Sequence, residues 1–152
     1  MKQIIFVCTG NICRSPIAEG IFNKIAAEHK VGFHAISRGT EGYHSGEKPD
    51  YRAIFIAGQN GVDINSIRAK QITKEEAKQS SYIFTVTEKH RQQILKIAPE
   101  FADKTFNLLP FVNLGESIED PYYGTNQDFA DVFNTLHEAC LKLAVLLKKH
   151  TP

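Results

Sequence analysis

The chain has 152 residues, a formal net charge of +1, 42% hydrophobic residues and 23% charged residues. A charge so close to zero gives no reason to expect nucleic acid or a membrane surface as a partner. Its three cysteines exclude a dense disulfide framework, because an odd number without regular spacing is typical of a reducing compartment. No apolar stretch has the length of a membrane span. We therefore expect a cytoplasmic protein with one domain over residues 1–152.

The first part of the chain alternates short apolar runs with a helical pattern. Residues 4–8 form a continuous apolar run, which predicts a strand buried on both faces of a parallel sheet. Ser15 and Pro16 predict a helix start, with Ser15 as the capping residue and Pro16 at the first helical position. A second strand is expected at residues 33–37. The Gly-rich, polar residues 37–48 are expected to form a loop.

The rest of the chain repeats this alternation. A helix is expected over residues 51–59, and Thr73 with Glu76 forms a capping-box pattern for a short helix. Residues 82–86 predict another buried strand. The remaining expectations are a helix capped by Thr87, a weaker strand at residues 105–109, a loop at 114–127 and a final helix with an apolar stripe over 129–147.

Strands that alternate with helices predict the fold class. We expect an α/β fold in a single domain, with a doubly wound four-stranded parallel sheet of flavodoxin-like or Rossmann-like type and helices on both faces. Such sheets bind ligands beyond the carboxyl ends of their strands. The loop that follows the first strand is therefore the first place to look for a site.

That loop reads Cys-Thr-Gly-Asn-Ile-Cys-Arg-Ser-Pro over residues 8–16. A loop that enters a helix N-terminus directs backbone N–H groups inward, and the helix dipole adds positive potential, so it can bind a phosphate group. Gly10 and Asn11 are residue types that tolerate a left-handed backbone, which a tight phosphate-binding loop needs.

Three side chains of the loop indicate nucleophilic chemistry on phosphate. The positive field favours the thiolate form of Cys8, and the donor fork of Arg14 matches two phosphoryl oxygens. Ser15 is placed to hydrogen-bond the sulfur and assist its departure. A bare Cys-x5-Arg spacing also arises by chance, in which case Cys8 is a buried strand-end cysteine and Arg14 a surface residue. The position of the loop between a strand and Ser-Pro favours the phosphate site.

Together with four further motifs, the loop resembles the signature of the low-molecular-weight protein tyrosine phosphatases. The resemblance covers nearly the whole chain, and the combination of motifs is highly specific. The motifs are Ser-Arg-Gly-Thr at residues 37–40, Asp-Tyr-Arg-Ala at 50–53, Arg-Ala-Lys-Gln at 68–71 and Asp-Pro-Tyr-Tyr-Gly at 120–124.

The resemblance implies a role for each site residue. It implies that Cys8 attacks phosphorus to form a phosphocysteine and that Arg14 holds the phosphoryl oxygens. Asp120 then protonates the leaving phenolate and later acts as a base on water. By the same resemblance, Asn11 and Ser37 brace the loop through hydrogen bonds. The implied substrate-binding residues are Thr9, Gly10, Asn11, Ile12, Cys13, Ser15, Tyr43 and Tyr122.

The chain also differs from the pattern of this family near the loop. Ile67 stands where the family often has His, and Lys70 replaces the second Arg of an Arg-Ala-Arg motif. Val86 and Thr87 replace a common Met-Asp pair. These changes affect residues that support the loop, whereas the expected nucleophile, arginine and acid are all present.

Two phosphorylated side chains are candidate substrates. Relatives that act on phosphoarginine carry Thr where this chain has Ile12, and an apolar side chain packs against an aromatic ring but offers a guanidinium group no hydrogen bond. Tyr43 and Tyr122 are expected to form the other walls of an aromatic slot; ordinary partial burial is the alternative for both. Phosphotyrosine is therefore the expected substrate.

Other functions fit the sequence less well. Arsenate reductases share the signature but need two more cysteines after the third strand, where residues 80–99 contain none. A phosphate-binding protein without activity would normally have lost one of the three catalytic residues. The resemblance further implies that Cys8 and Cys13 can form a protective disulfide.

We expect no cofactor and no metal site, because the six histidines lack metal-ligand spacing. The expected partner is a phosphotyrosine-containing protein, of which a tyrosine kinase is one candidate. Neither nucleic acid nor a membrane is an expected partner. The chain is expected to be a monomer or to self-associate weakly.

Overall fold

The computed structural model describes residues 1–149 and contains a four-stranded parallel sheet with the strand order β2-β1-β3-β4. Every strand pair is parallel. The strands are β1 (Lys2–Cys8), β2 (Phe33–Gly39), β3 (Tyr82–Thr85) and β4 (Thr105–Asn107). The helices are α1 (Arg14–Glu28), α2 (Tyr51–Gln59), α3 (Lys74–Gln79), α4 (Glu88–Ile97), α5 (Leu108–Phe111) and α6 (Asn126–Lys149), with a 3-10 helix at Pro99–Lys104.

Strand β1 is buried on both faces, as its apolar run predicts. Ile4 and Phe6 belong to the larger core cluster, which contains buried residues of α1, α2 and α6. Ile5 and Val7 face the opposite way and join a smaller cluster with residues of α3 and α4. Because successive side chains of a strand point to opposite faces, an all-apolar strand lies between two layers of helices. The predicted fold class is confirmed.

Several predicted elements match in their bounds or caps. Helix α2 spans the predicted residues 51–59, and Asp50 caps it by accepting from the Arg52 amide. Thr73 and Glu76 form the predicted capping box of α3. Thr87 caps α4, as expected. The predicted stripe of α6 is buried at Phe129, Val132, Phe133, Leu136, Cys140, Leu143 and Leu147.

Other predicted boundaries are wrong. Helix α1 begins at Arg14, with Cys13 at the capping position, so Ser15 is not the cap. Strand β2 continues to Gly39, two residues beyond its predicted end at residue 37. Strand β4 ends at Asn107 because the chain turns into the short helix α5, whose Pro110 has no N–H to donate to a ladder.

The order of the strands positions the functional site. The chain moves from β1 to β2 on one side and then to β3 on the other, so the connections diverge beyond the carboxyl end of β1. Ligands of doubly wound sheets bind at such a switch point. The loop at residues 8–13 begins there.

Within residues 1–149, no helix is both long enough and apolar enough to cross a membrane. The prediction of one domain over residues 1–152 includes three residues outside the described range and stays a prediction.

Candidate active site

The sulfur of Cys8 lies at the end of β1, at the base of a cavity, and only 2% of this residue is exposed. Its Sγ is 3.0 Å from Oγ of Ser15, in the first turn of α1. Ser15 therefore makes the predicted contact with the sulfur, although it does not cap the helix. Because Ser15 is the second residue of α1, the start of the helix places its hydroxyl group beside the sulfur.

Asn11 connects this pair to the rest of the loop. Its backbone has a φ of 59°, the left-handed conformation predicted for it. Its Nδ2 donates to Oγ of Ser15 at 2.8 Å, and its Oδ1 accepts from the backbone N–H of Lys70 at 3.0 Å. The second bond uses only the main chain of Lys70, so it does not depend on whether Lys or Arg stands there.

Gly10 is needed because a side chain at this position would collide with His44, and not because its backbone is left-handed. It is not among the residues with positive φ, so that part of the prediction is wrong. A Cβ at this position would lie 2.7 Å from Cδ2 of His44, which packs directly over the loop. Glu47 holds His44 from its other side, with 2.6 Å between Oε2 and Nδ1.

The guanidinium group of Arg14 is buried, and a hydrogen bond from one of its nitrogens holds it in place. Its Nη1 donates to the carbonyl oxygen of Ile118 at 2.9 Å, while Nη2 lies 3.6 Å from Oδ2 of Asp120. Its Nε is buried and has no hydrogen-bond partner among residues 1–149. Nε therefore keeps its donor for a ligand, and Nη2, whose ion pair with Asp120 is longer than a hydrogen bond, lies on the same edge, so this edge matches the geometry of two phosphoryl oxygens.

Asp120 lies across the cavity on the segment before α6, with 51% of its side chain exposed. Its Oδ1 accepts from the backbone N–H of Tyr122 at 3.1 Å. Arg52 on α2 holds the same segment by donating to the carbonyl oxygens of Tyr122 at 2.9 Å and Gly124 at 3.4 Å. Arg52 also donates to both carboxylate oxygens of Asp50.

The cavity brings most of the predicted site residues together. Asn11 and Ser15, two of the predicted substrate-binding residues, are fully buried and do not line the cavity. Tyr43 and Tyr122, the predicted walls, both line the cavity and are 66% and 37% exposed. The lining residues are Cys8, Thr9, Gly10, Ile12, Cys13, Arg14, Tyr43, His44, Asp120, Tyr122 and Tyr123.

The comparisons with known proteins agree with this geometry. The family model for low molecular weight phosphotyrosine protein phosphatase matches residues 3–152. A relative of that name from Gallus gallus is 35% identical over an alignment 158 residues long. This alignment covers 99% of this chain and 97% of the relative. The chain belongs to this family.

Solved structures of two kinds of phosphatase resemble this chain. A low molecular weight protein tyrosine phosphatase from T. tengcongensis has a TM-score of 0.90 at 32% identity, covering 94% of this chain and 97% of that one. A YwlE arginine phosphatase from Geobacillus stearothermophilus has a TM-score of 0.89 at 28% identity, covering 99% and 95%. The fold of the family therefore does not by itself separate the two substrates.

One predicted support of the phosphatase loop is wrong. Ser37, expected to brace the loop, donates instead to Oε1 of Glu19 at 2.8 Å. Ser37 pairs with Phe6 in the sheet register, two residues before the strand ends, and its side chain faces α1. Burial raises the pKa of Glu19. The loop is linked to β2 by main-chain bonds, in which the amides of Thr40 and Glu41 donate to the carbonyl oxygens of Cys8 and Thr9.

Cys13 differs from Cys8 in its surroundings, although both thiols are free. Burial, followed by the nearby carboxylate of Asp50, raises the pKa of Cys13. Cys13 therefore stays a thiol at neutral pH.

Three residues around the site are not among the predicted site residues. His44 packs on Gly10, Arg52 holds the Asp120 segment, and His90 of α4 contacts the side chain of Thr9. Arg52 was visible only as part of a family motif. His90 lies three residues after Thr87, one of the positions where the chain differs from the family pattern in residues that support the loop.

Proposed function

We propose that this chain hydrolyses phosphotyrosine in proteins, with Cys8 as nucleophile, Arg14 as the phosphate-binding arginine and Asp120 as the general acid and base. The observation that carries the proposal is the meeting of three groups at one cavity. They are the sulfur of Cys8, the edge of Arg14 formed by the unpartnered Nε and by Nη2, and the exposed carboxyl group of Asp120.

In the first step the thiolate of Cys8 attacks phosphorus and the bond from phosphorus to the phenolic oxygen breaks. Asp120 gives its proton to that oxygen, so tyrosine leaves uncharged. The Nε and Nη2 edge of Arg14 and the loop amides hold the equatorial oxygens, where charge is distributed in the transition state.

In the second step water attacks the phosphocysteine and Asp120 takes the proton from that water. The bond from sulfur to phosphorus breaks, inorganic phosphate leaves and Cys8 returns as a thiolate. Ser15 favours this departure, because its oxygen accepts from Asn11 and its own proton can then be donated to the sulfur.

The walls of the cavity favour an aromatic substrate. The apolar residue Ile12 of the loop lines the cavity, and so do Tyr43 and Tyr122. A phenyl ring gains contact area with all three, whereas a guanidinium group would lose its hydrogen bonds to water without replacement at Ile12.

The substrate proposal is tested by measuring kcat/KM on one peptide carrying phosphotyrosine and on its counterpart carrying phosphoarginine. We expect the wild type to prefer phosphotyrosine and Ile12→Thr to shift the ratio of the two values towards phosphoarginine. Ile12→Val is the matched control, because it keeps the shape of threonine without the hydroxyl group. A ratio that is equal in Ile12→Thr and Ile12→Val would show that residue 12 does not select the substrate.

Partners and location are part of the same proposal. A phosphotyrosine protein, such as a tyrosine kinase, would present its modified side chain to the open cavity. We propose a cytoplasmic location, because a thiol nucleophile and a buried free Cys140 suit a reducing compartment. We also propose that the protein is a monomer or self-associates weakly.

A further inference from the structure

The imidazole of His90 is buried against the phosphate loop, with 3% of the residue exposed. Its Nε2 is 2.7 Å from Oγ1 of Thr9, the residue that follows the nucleophile. Its Nδ1 is 2.7 Å from Oγ1 of Thr87, which also accepts from the backbone N–H of His90. Both ring nitrogens are therefore occupied by threonine hydroxyl groups, one on the loop and one on the cap of α4.

The surroundings keep this imidazole neutral. Burial, followed by the positive charges of Arg14 and Lys89, lowers the pKa of His90 to about 4. The carboxylate of Asp120 raises this pKa, but it is the smallest of the four effects. A neutral imidazole has one donor and one acceptor nitrogen, which suits two hydroxyl partners that can each give or take a proton.

Val86, four residues before His90, is hydrogen-bonded both to the strand that carries Cys8 and to the segment that carries Asp120. The amide of Val86 donates to the carbonyl oxygen of Val7, one residue before the nucleophile. The carbonyl oxygen of Val86 accepts from the amide of Ile118, two residues before Asp120. The start of α4 thus lies between the strand that carries Cys8 and the segment that carries Asp120, and His90 adds a side-chain bond to the loop itself.

We propose that His90 is a positioning residue, which holds Thr9 and the first turn of the phosphate loop at a fixed place relative to Asp120. The inference rests on the proposed function and deepens it. The main-chain bonds at Val86 fix the ends of the two segments, and the side-chain hydroxyl group of Thr9 is hydrogen-bonded to His90 of α4. Without that bond the loop stays folded, but the position of Thr9 relative to Asp120 is less well defined.

Two substitutions separate positioning from simple core packing. In His90→Gln the side-chain amide can reach the place of Nε2 and keep the bond to Thr9. In His90→Asn the shorter amide can reach only the place of Nδ1 and the bond to Thr9 is lost. Gln92→Ala, on the exposed face of the same helix, is the control for changes in α4.

We expect His90→Asn to lower kcat/KM for p-nitrophenyl phosphate by about tenfold, as a lost hydrogen bond near the reacting atoms can do. His90→Gln should recover most of that loss, and Gln92→Ala should match the wild type. Thr9→Val removes the same bond from the loop side and should lose about as much as His90→Asn. In the Thr9→Val background the two His90 variants should be equally active.

Equal activity of His90→Gln and His90→Asn in the wild-type background would overturn the proposal, whether both are active or both are impaired. Thermal melting of each variant shows which are folded. If both His90 variants unfold, Thr9→Val provides the test: a loss of about tenfold in kcat/KM supports the proposal, and wild-type activity contradicts it. Calorimetric binding of inorganic phosphate does not depend on turnover. If the wild type lacked activity altogether, the proposed function would fail, while weaker phosphate binding by His90→Asn than by His90→Gln would still support this inference.

Discussion

The hydroxyl oxygen of Ser15 lies 3.0 Å from the sulfur of Cys8 and accepts a hydrogen bond from the Asn11 amide. Since one side of the oxygen is occupied by that amide, its proton is free to be donated. Among residues 1–149, a second acceptor for the same proton, the carbonyl oxygen of Arg38, is farther away at 3.4 Å. The bond from Asn11 and the greater distance to Arg38 both favour donation by Ser15 to the sulfur, the atom that must leave in the second step.

Ser15→Ala is expected to slow breakdown of the phosphocysteine more than its formation. A hydrogen bond to a charged group contributes about 1.5–3 kcal/mol, so kcat should fall by roughly 10- to 100-fold. Rapid mixing with p-nitrophenyl phosphate should then show a burst of product before slow turnover. The exposed Ser66→Ala is the control. A slower first turnover without a burst would place the role of Ser15 in the first step instead.

Asp120→Asn is expected to affect poor leaving groups most. Phenolate needs a proton to leave, whereas p-nitrophenolate leaves more easily without one, so phenyl phosphate should lose about 100-fold or more and p-nitrophenyl phosphate much less. Rates on the two esters provide the measurement, and Asp131→Asn on α6 is the matched control. Equal losses on both esters would contradict leaving-group protonation by Asp120.

Arg52→Lys should weaken the hold on the Asp120 segment while keeping the charge. Arg52 uses its planar fork to bind Asp50 and the carbonyl oxygens of Tyr122 and Gly124, and its guanidinium carbon lies 4.4 Å from the centre of the Phe129 ring. Lysine cannot reproduce this set of bonds.

We expect the Arg52→Lys variant to lose about tenfold in kcat/KM, with the larger loss on phenyl phosphate. The same two esters used for Asp120 provide the readout. Lys48→Arg, at a neighbouring exposed residue, controls for a change of basic side chain in this region. A loss that is the same for both esters would show that Arg52 does not act through Asp120.

Two glycine substitutions should change stability in opposite directions. A Cβ at Gly39 would lie 2.6 Å from the carbonyl oxygen of Thr9 and 2.9 Å from that of Glu41. Main-chain atoms cannot move aside cheaply, so Gly39→Ala should lower the free energy of unfolding by about 1–3 kcal/mol. Gly58 lies in α2 with open space around it, and Gly58→Ala should raise the free energy of unfolding by about 0.5–1 kcal/mol.

Urea unfolding of both glycine variants provides the measurement. Since the two substitutions add the same methyl group, a loss of stability in both would indicate a general effect of alanine rather than the close approach at Gly39.

His90 should make stability depend on pH. Its pKa is about 4 in the folded protein, below the ordinary value of 6.5, so the unfolded chain takes up a proton at higher pH than the folded protein does. The stabilisation is complete above pH 6.5 and is lost as the pH falls through about 4. The free energy of unfolding should therefore decrease over that interval.

His90→Gln removes this titration and should show a shallower decrease between pH 6.5 and 4. Carboxylates with lowered pKa values, such as Asp50 and Glu76, titrate in both proteins and cancel in the comparison. Parallel curves for the two proteins would contradict a neutral, buried His90.

The parts predicted from the sequence depend on local patterns. The apolar run before Cys8, the capping box at Thr73 and the stripe of α6 each follow from spacing along a single element. The left-handed Asn11 followed from its residue type. The roles given to Cys8, Arg14 and Asp120 came from combining the loop chemistry with a family resemblance.

The parts that were missed or wrong depend on contacts between distant segments. Ser37 lies on the strand that precedes the site, but the direction of its side chain is set by the sheet register, which places it against Glu19. His90 is 81 residues from Thr9 along the chain, and only the pairing of β1 with β3 brings α4 to the loop. Ser15 resembles a helix cap in sequence, yet the loop uses its hydroxyl for the sulfur.

The central claim is that a phosphoryl group passes through Cys8. The most direct measurement is acid quenching of the enzyme during turnover of a phosphotyrosine peptide, followed by digestion and mass spectrometry of the peptides that contain Cys8 and Cys13. We expect a phosphoryl group on Cys8, which is lost in Cys8→Ser and retained in Cys13→Ser. Turnover with no phosphorylated cysteine, or with the phosphoryl group on Cys13, would contradict the account.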